Sequence, residues 1–241
     1  MLIEDYRKTI NSAFADNGLS GLLDEEKANK LYELSNLLVE TNKSFNLTAI
    51  TDENGIILKH FLDCATVSDH IPEGSSVIDV GCGAGFPTLP LAIIRKDIKI
   101  TALDSTCKKI SFVTKAAQEL HLGNVMGVCA RAEDFVKDNR EKFDVCTSRA
   151  VARLNVLSEL CFPLLKTGGR FVAMKANKGS EEHLEAINGI EKLGGVFEAT
   201  NNYVLSFMGE CIERDIYLYT KIKPSPAQYP RKYSQIIKKP L

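Results

Sequence analysis

Tryptophan is absent from this 241-residue sequence, and histidine is scarce at four. No stretch approaches the roughly 18 to 20 uninterrupted apolar residues of a membrane-spanning helix. Nor does the sequence begin on an apolar run: Glu4, Asp5, Arg7 and Lys8 stand where a secretory signal would place one, so the expected location is cytoplasmic, with no membrane partner. The seven cysteines (Cys64, Cys82, Cys107, Cys129, Cys146, Cys161 and Cys211) are odd in number and include no C-x-x-C pair, and no histidine stands at metal spacing. Reduced, mostly buried thiols are therefore expected, with neither a disulfide framework nor a metal site. A large excess of positive charge is missing too. The net charge of −1 argues against a uniformly basic nucleic-acid binder, but the charge is uneven. Residues 1–40 carry eight Asp or Glu against four Lys or Arg, whereas Ile216 to Leu241 contain no acid and include Lys221, Lys223, Arg231, Lys232, Lys238 and Lys239. That ending reads either as a solvated basic tail or as an RNA-contacting segment.

What is present suffices for a sizeable core, at 44% apolar residues. Residues 1–70 have helical spacing: Leu2, Ile3, Tyr6, Ile10 and Phe14 recur every three or four positions, as do Leu31, Leu34, Leu37 and Leu38. Asn42 to Asn54 is polar and irregular, the mark of a loop, and helical spacing resumes over Ile56 to His70. From Ser76 onward, short β-rich runs alternate with amphipathic ones, as in successive βαβ units. Strands are predicted at Val77–Val80, Ile98–Leu103, Val125–Cys129, Phe143–Ser148 and Gly169–Lys175. Helices are predicted at Thr88–Arg95, Cys107–Leu120, Ala132–Asn139, Val156–Leu164 and Glu181–Leu193. Val196–Ser206 and Cys211–Lys223 then read as a hairpin around Met208-Gly209 that closes the sheet edge. The expected fold is α/β, a seven-stranded, mostly parallel sheet with an N-terminal helical extension. The expected divisions are 1–70 for the extension, 71–223 for the core and 224–241 for the basic tail.

The sharpest motif is Val77-Ile78-Asp79-Val80-Gly81-Cys82-Gly83-Ala84-Gly85, an apolar strand running into alternate glycines. Glycines there allow a tight turn and close approach of a ligand. A dinucleotide-binding turn is spaced G-x-G-x-x-G, but Phe86 occupies its last glycine position, which disfavours a hydride-transfer cofactor. The G-x-G-x-G turn after Asp79 resembles the first motif of the class I, Rossmann-like methyltransferases, which implies S-adenosylmethionine as cofactor. Asp104, at the end of the second strand, suits the two ribose hydroxyls, and Ala132-Glu133-Asp134 follows the third strand, where the adenine lies in that class. Singly, Asp104 could be a helix cap and Glu133 a first-turn charge. Together they mark three successive strand ends, where open α/β sheets bind ligands.

Further segments are similar to the ribosomal small-subunit methyltransferase G family, also called the glucose-inhibited division protein B family. They are Asn42-Lys43 with Asn46-Leu47-Thr48-Ala49-Ile50, His60-Phe61-Leu62-Asp63, Gly85-Phe86-Pro87, Leu103-Asp104-Ser105, Arg131-Ala132-Glu133, Ser148-Arg149-Ala150-Val151-Ala152 and Tyr229-Pro230-Arg231-Lys232. The chain departs from the family at Lys175-Ala176, usually Lys-Gly, and at Ser234-Gln235-Ile236, usually a Gly-Thr-Pro-like segment. The resemblance implies methylation of guanine nitrogen 7 in 16S ribosomal RNA, free or within the small subunit. It places Gly81, Phe86, Ala132, Glu133 and Arg149 at the cofactor, beside the Asp79, Gly81, Gly83 and Asp104 of the motif.

Guanine nitrogen 7 has an in-plane lone pair and no proton, so alignment rather than a general base is the catalytic need. Asn46, Arg149 and Lys175 are the candidates for handling the reacting groups, and Arg153, Arg231 and Lys232 for RNA, with Tyr229 or Tyr233 able to stack on an unpaired base. For Arg149 and Arg153 the expected partners are a phosphate or the cofactor carboxylate, against a surface ion pair. His60 and Asp63 are expected to pair and hold the helical cap. No apolar patch or heptad calls for a dimer, so a monomer is expected. Two other readings remain: a same-fold methyltransferase acting on a small molecule or protein, and a binding module without turnover.

Overall fold

The protein, represented by a computed structural model, is described at residues 2–149, 151–176 and 179–241. Seven strands, β1 (Ser76–Val80), β2 (Lys99–Asp104), β3 (Val125–Cys129), β4 (Phe143–Arg149), β5 (Leu165–Lys175), β6 (Gly195–Phe207) and β7 (Glu210–Lys221), form one sheet in the order β3-β2-β1-β4-β5-β7-β6. The first five are parallel, and β7 pairs antiparallel with both β5 and β6. The hairpin turn falls where the sequence placed it. Met208 and Gly209 both have positive φ, 49° and 81°, the geometry of a two-residue turn that matches strand twist.

Side chains alternate between two apolar layers. In β5, Val172 and Met174 enter one layer and Phe171 and Ala173 the other; in β7, Ile216 and Leu218 oppose Tyr217 and Tyr219. Covered on both faces, a central strand such as β1 reads as an apolar run rather than an alternation. One layer holds α5 (Thr88–Ile94) and α6 (Cys107–Glu119); the other holds α7 (Ala132–Asn139), α8 (Leu154–Cys161), α9 (Gly179–Lys192) and, at the end, α10 (Tyr233–Lys238).

The N-terminal segment adds α1 (Ile3–Asp16), α2 (Glu25–Asn42), α3 (Glu53–Ile56), a π-helical stretch Ile57–Leu62 and α4 (Asp63–Ala65). Asp24 starts α2 by accepting from the Lys27 amide, and Asp52 starts α3 by accepting from that of Gly55. Tyr6, Ile10, Phe14, Leu31, Leu34 and Leu38 are buried in the same layer as Val77 and Ile100. These helices therefore extend the sheet's own core, and the π-helical stretch is laid beside the carboxyl ends of the strands. No helix among the described residues is long and apolar enough to cross a membrane.

Candidate active site

Strand order reverses between β1 and β4, and a crevice opens at such a point outside the carboxyl ends of the strands. Gly81 leaves β1 there with φ 74°; a Cβ on it would lie 2.3 Å from Val151 Cγ2. The amides of Gly81 and Cys82 bond the Leu103 carbonyl at 2.7 and 3.1 Å, fastening the turn to β2. Asp104 receives the Gly83 amide on Oδ2 at 3.0 Å and the Thr106 amide on Oδ1 at 2.8 Å, fixing its carboxylate at the crevice. Asp79 has a different place. It is fully buried beneath the turn and accepts from the amide and hydroxyl of Thr88 at 3.3 and 2.7 Å. Burial pushes its carboxyl up to about 6. Expected at the cofactor, Asp79 anchors the start of α5 and is not among the residues lining the cavities described below.

Two cavities meet at the turn. One, of about 130 Å³, is lined by Leu103, Asp104, Ala132, Glu133 and Tyr233; the other, of about 530 Å³, by Thr48, His60, Gly83, Phe86, Lys109 and Arg149. Both include Gly81, Asp104 and Val151, so they form one trough across the carboxylate. A third cavity, of about 370 Å³, opens from Arg149 and Val151 toward Met174, Lys175 and Glu182.

The wall of the larger cavity is a charge network. Asp63, 4% exposed at its side chain, sits 2.9 Å from Arg149 Nη1 and 3.2 Å from Arg214 Nε. Arg149 also donates to the Lys59 carbonyl at 2.9 Å and faces His60 Nδ1 at 3.1 Å. Receiving that donor on Nδ1 leaves the His60 proton on Nε2, aimed at Thr48 Oγ1 at 3.2 Å. Burial, with Arg149 alongside, drops the imidazole to about 3, so the ring is neutral. It stacks on Phe86 with centroids 4.2 Å apart, and Arg149 lies over the same ring. Arg149 reaches the cavity with its guanidinium bonded to Asp63, the Lys59 carbonyl and His60. One expectation changes here. His60 and Asp63 do not pair; Arg149 stands between them.

Other expected residues fall outside the trough. Asn46 is exposed and is not among the residues lining these three cavities; Asn42 organises that loop, accepting the Leu47 and Thr48 amides at 2.7 and 3.0 Å. Lys175 lies in the third cavity, its Nζ held by Glu182 at 2.7 Å and the Ala152 carbonyl at 2.8 Å. Arg153 is exposed and pairs with Glu185, and Lys232 is exposed at the start of α10. Arg231 is turned inward onto the fully buried Glu159 of α8, and Lys221 is itself fully buried, 2.8 Å from Glu141. Two cations of the acid-free ending are thus neutralised inside the protein. Tyr233 faces the smaller cavity.

The cysteine reading also changes: Cys107 and Cys129 form a disulfide. The β2–β3 register, which sets Asp104 beside Cys129, brings the end of β3 against the start of α6. Such a pairing comes from register and leaves no mark in local spacing. Cys64, Cys82, Cys146 and Cys161 are buried free thiols, and Cys211 is exposed. Thr48, Lys109, Val151, Arg214 and Tyr233 are among the trough residues that sequence reasoning did not assign to it. Val151 and Thr48 lay inside segments singled out for their resemblance; Arg214 carried no local signal. Among the described residues no group of three or more His, Cys, Asp or Glu could hold a metal ion.

The profile of the family described as rRNA small subunit methyltransferase G matches residues 27–204. The ribosomal RNA small subunit methyltransferase G of Staphylococcus carnosus is 46% identical over 91% of this chain and 92% of its own length. Its namesake in Ligilactobacillus salivarius is 43% identical over the whole of both chains. Among solved structures, M. jannaschii TYW2 in complex with AdoMet superposes with a TM-score of 0.57 at 18% identity, covering 72% of this chain and 80% of that one. A precorrin-6y C5,15-methyltransferase from Geobacter metallireducens gives 0.51 at 16% identity, over 73% of this chain and 92% of that one. These two show a shared fold.

Proposed function

The chain belongs to the rRNA small subunit methyltransferase G family, and from that premise we propose that it transfers a methyl group from S-adenosylmethionine to nitrogen 7 of a guanine in 16S ribosomal RNA. The observation that carries the reading is the trough in which two cavities share Gly81, Asp104 and Val151. It matches an adenosyl group joined to an amino acid. The fixed Asp104 carboxylate suits the two ribose hydroxyls, at about 1.5 to 3 kcal/mol per charge-assisted bond. Ala132 and Glu133 frame the adenine end, Gly81 and Gly83 allow the methionine part to pass, and Phe86 and Arg149 wall the methyl side.

When bound, the cofactor supplies an electrophilic methyl on a sulfonium. The protein aligns the guanine nitrogen with it at about 3 to 3.5 Å and excludes water. Phe86 and the neutral His60 make that side apolar and flat, while Asp63 locks Arg149 and Arg214 as its frame. The third cavity, where Lys175 and Glu182 lie, is the entry for the guanine. Attack leaves positive charge on the purine, at a place where Lys175 and Glu182 form a neutral pair. The working unit is a single chain in the cytoplasm, the first point checked by light scattering at the mass of one chain.

Labelled methyl transfer to small-subunit ribosomal RNA, with nucleoside analysis after digestion, tests the reading. Recovery of 7-methylguanosine is expected. Label in no RNA, free or in particles, would defeat it and favour a same-fold methyltransferase acting on a small molecule or protein.

A further inference from the structure

We propose that the closing segment of the chain belongs to the cofactor site, with the Tyr233 ring as the wall against which the adenine packs. This rests on the reading that the Ala132–Glu133 end of the trough takes the adenine. The segment is docked by specific bonds. Arg231 gives its backbone amide and Nε to Glu159 Oε1, both at 2.8 Å, and Nη2 to Oε2 at 2.5 Å. Glu159 is fully buried, so undocking would strand a carboxylate without its counter-charge. Ile236 is fully buried in the layer formed by α8, and Arg140 reaches the carbonyls of Ser225 and Tyr229.

This docking sets Tyr233 at the narrow cavity. Its amide donates to Glu133 Oε1 at 3.3 Å, the Arg131 guanidinium lies 5.8 Å over its ring, and Tyr233 lines the same space as Leu103 and Ala132. An aromatic face beside an apolar strand end is a stacking platform for a purine, since every base has a π face. The sequence suggested this tyrosine for an RNA base. Its position inside the trough assigns it to the cofactor's base.

The test is S-adenosylhomocysteine affinity, measured by titration calorimetry on the full chain. Tyr233→Ala should weaken binding by about five- to a hundredfold, the loss expected for one base–aromatic stack. Tyr233→Phe should bind within about twofold of the parent, because the ring and not the hydroxyl forms the wall. With no tryptophan elsewhere in the chain, Tyr233→Trp gives a direct optical readout. Its indole emission should change on saturation with S-adenosylhomocysteine and stay constant with methionine alone. Undiminished affinity in Tyr233→Ala overturns the proposal if Asp104→Ala has lost binding, and leaves the trough reading standing. Undiminished affinity in both variants overturns the trough reading itself. Should Tyr233→Ala not fold, constant emission of the Tyr233→Trp variant at saturating S-adenosylhomocysteine would be decisive against it.

Discussion

Where the glycine turn meets the ribose carboxylate, Gly81 and Gly83 stand together and Asp104 ends the next strand, all fixed by main-chain bonds. At the methyl end, Thr48, His60, Asp63, Arg149 and Arg214 arrive from separate segments and are fixed by side chains, with Asp63 and Arg149 86 residues apart. The first end is built by local geometry, so spacing exposes it. The second is built by charge pairing across the fold, where a residue's type reveals nothing until its partner is known. The same contrast predicts different responses to mutation: the adenosine end should lose ligand binding more than stability, and the methyl end should lose stability first.

The largest expected effect is at the adenosine end. Asp104→Ala removes two charge-assisted bonds to the ribose and should weaken S-adenosylhomocysteine by a hundredfold or more, about 3 to 6 kcal/mol. Thermal unfolding should move by less than the binding does, since the fold loses only the bonds from the Gly83 and Thr106 amides, about 1 kcal/mol each. A loss under tenfold by calorimetry would place the ribose elsewhere. Next comes Asp63→Asn, which leaves Arg149 and Arg214 without their shared counter-charge. Removing one partner of such a buried cluster costs about 3 to 5 kcal/mol, read as a lower urea midpoint at unchanged slope. A change below about 1 kcal/mol would mean that Asp63 does not organise the wall.

A pH experiment sharpens the contrast further. Burial and Arg149 hold the folded His60 imidazole at about 3, far below the ordinary value near 6.5. Between those values the unfolded chain binds the extra proton, so this stabilisation is complete above about pH 6.5 and declines as pH falls. From pH 7 to 5 the loss is about 2 kcal/mol. Asp79 acts oppositely below about pH 6, where the folded state holds a proton that the unfolded one releases down to its ordinary 3.8. Comparing the parent with His60→Gln cancels that contribution. The variant should lose about 2 kcal/mol less between the two pH values, and parallel urea midpoints would show that the histidine titrates normally.

Six of the seven strands were legible to within two residues at each end, and β5 begins four residues before the expected Gly169. β3 spans the run predicted from Val125 to Cys129, and the Met208-Gly209 turn was legible from Gly209, which takes its positive φ without steric cost between two β-rich runs. The trough was legible at Gly81, Asp104 and Glu133, which line it, because strand ends carry it and strands are periodic. Arg149 was legible as important but not in its partners. Arg231 and Lys221 looked like surface charge because composition cannot show that Glu159 and Glu141 stand where they end. The Cys107–Cys129 bond was illegible because a parallel register, not a motif, brings its two ends together.

Arg153 should give the smallest effect, and it tests whether an exposed cation near the trough serves the fold or the RNA. It is exposed, stands at the N-cap of α8 and, among the described residues, pairs with the exposed Glu185, with Glu181 and Glu182 nearby. A pair of this kind adds little to stability, so Arg153→Ala should unfold at the parent's midpoint. If instead its forked donors exchange Glu185 for a phosphate when RNA binds, a different observable moves. The parent's RNA affinity should fall steeply with salt, and the variant's log–log slope should be shallower by about one. Asp104→Ala should leave that slope untouched. An identical slope in the Arg153→Ala variant would assign this arginine to the Glu185 pair alone and direct the search for phosphate contacts to the exposed Lys232, Lys238 and Lys239 on the outer side of the closing segment.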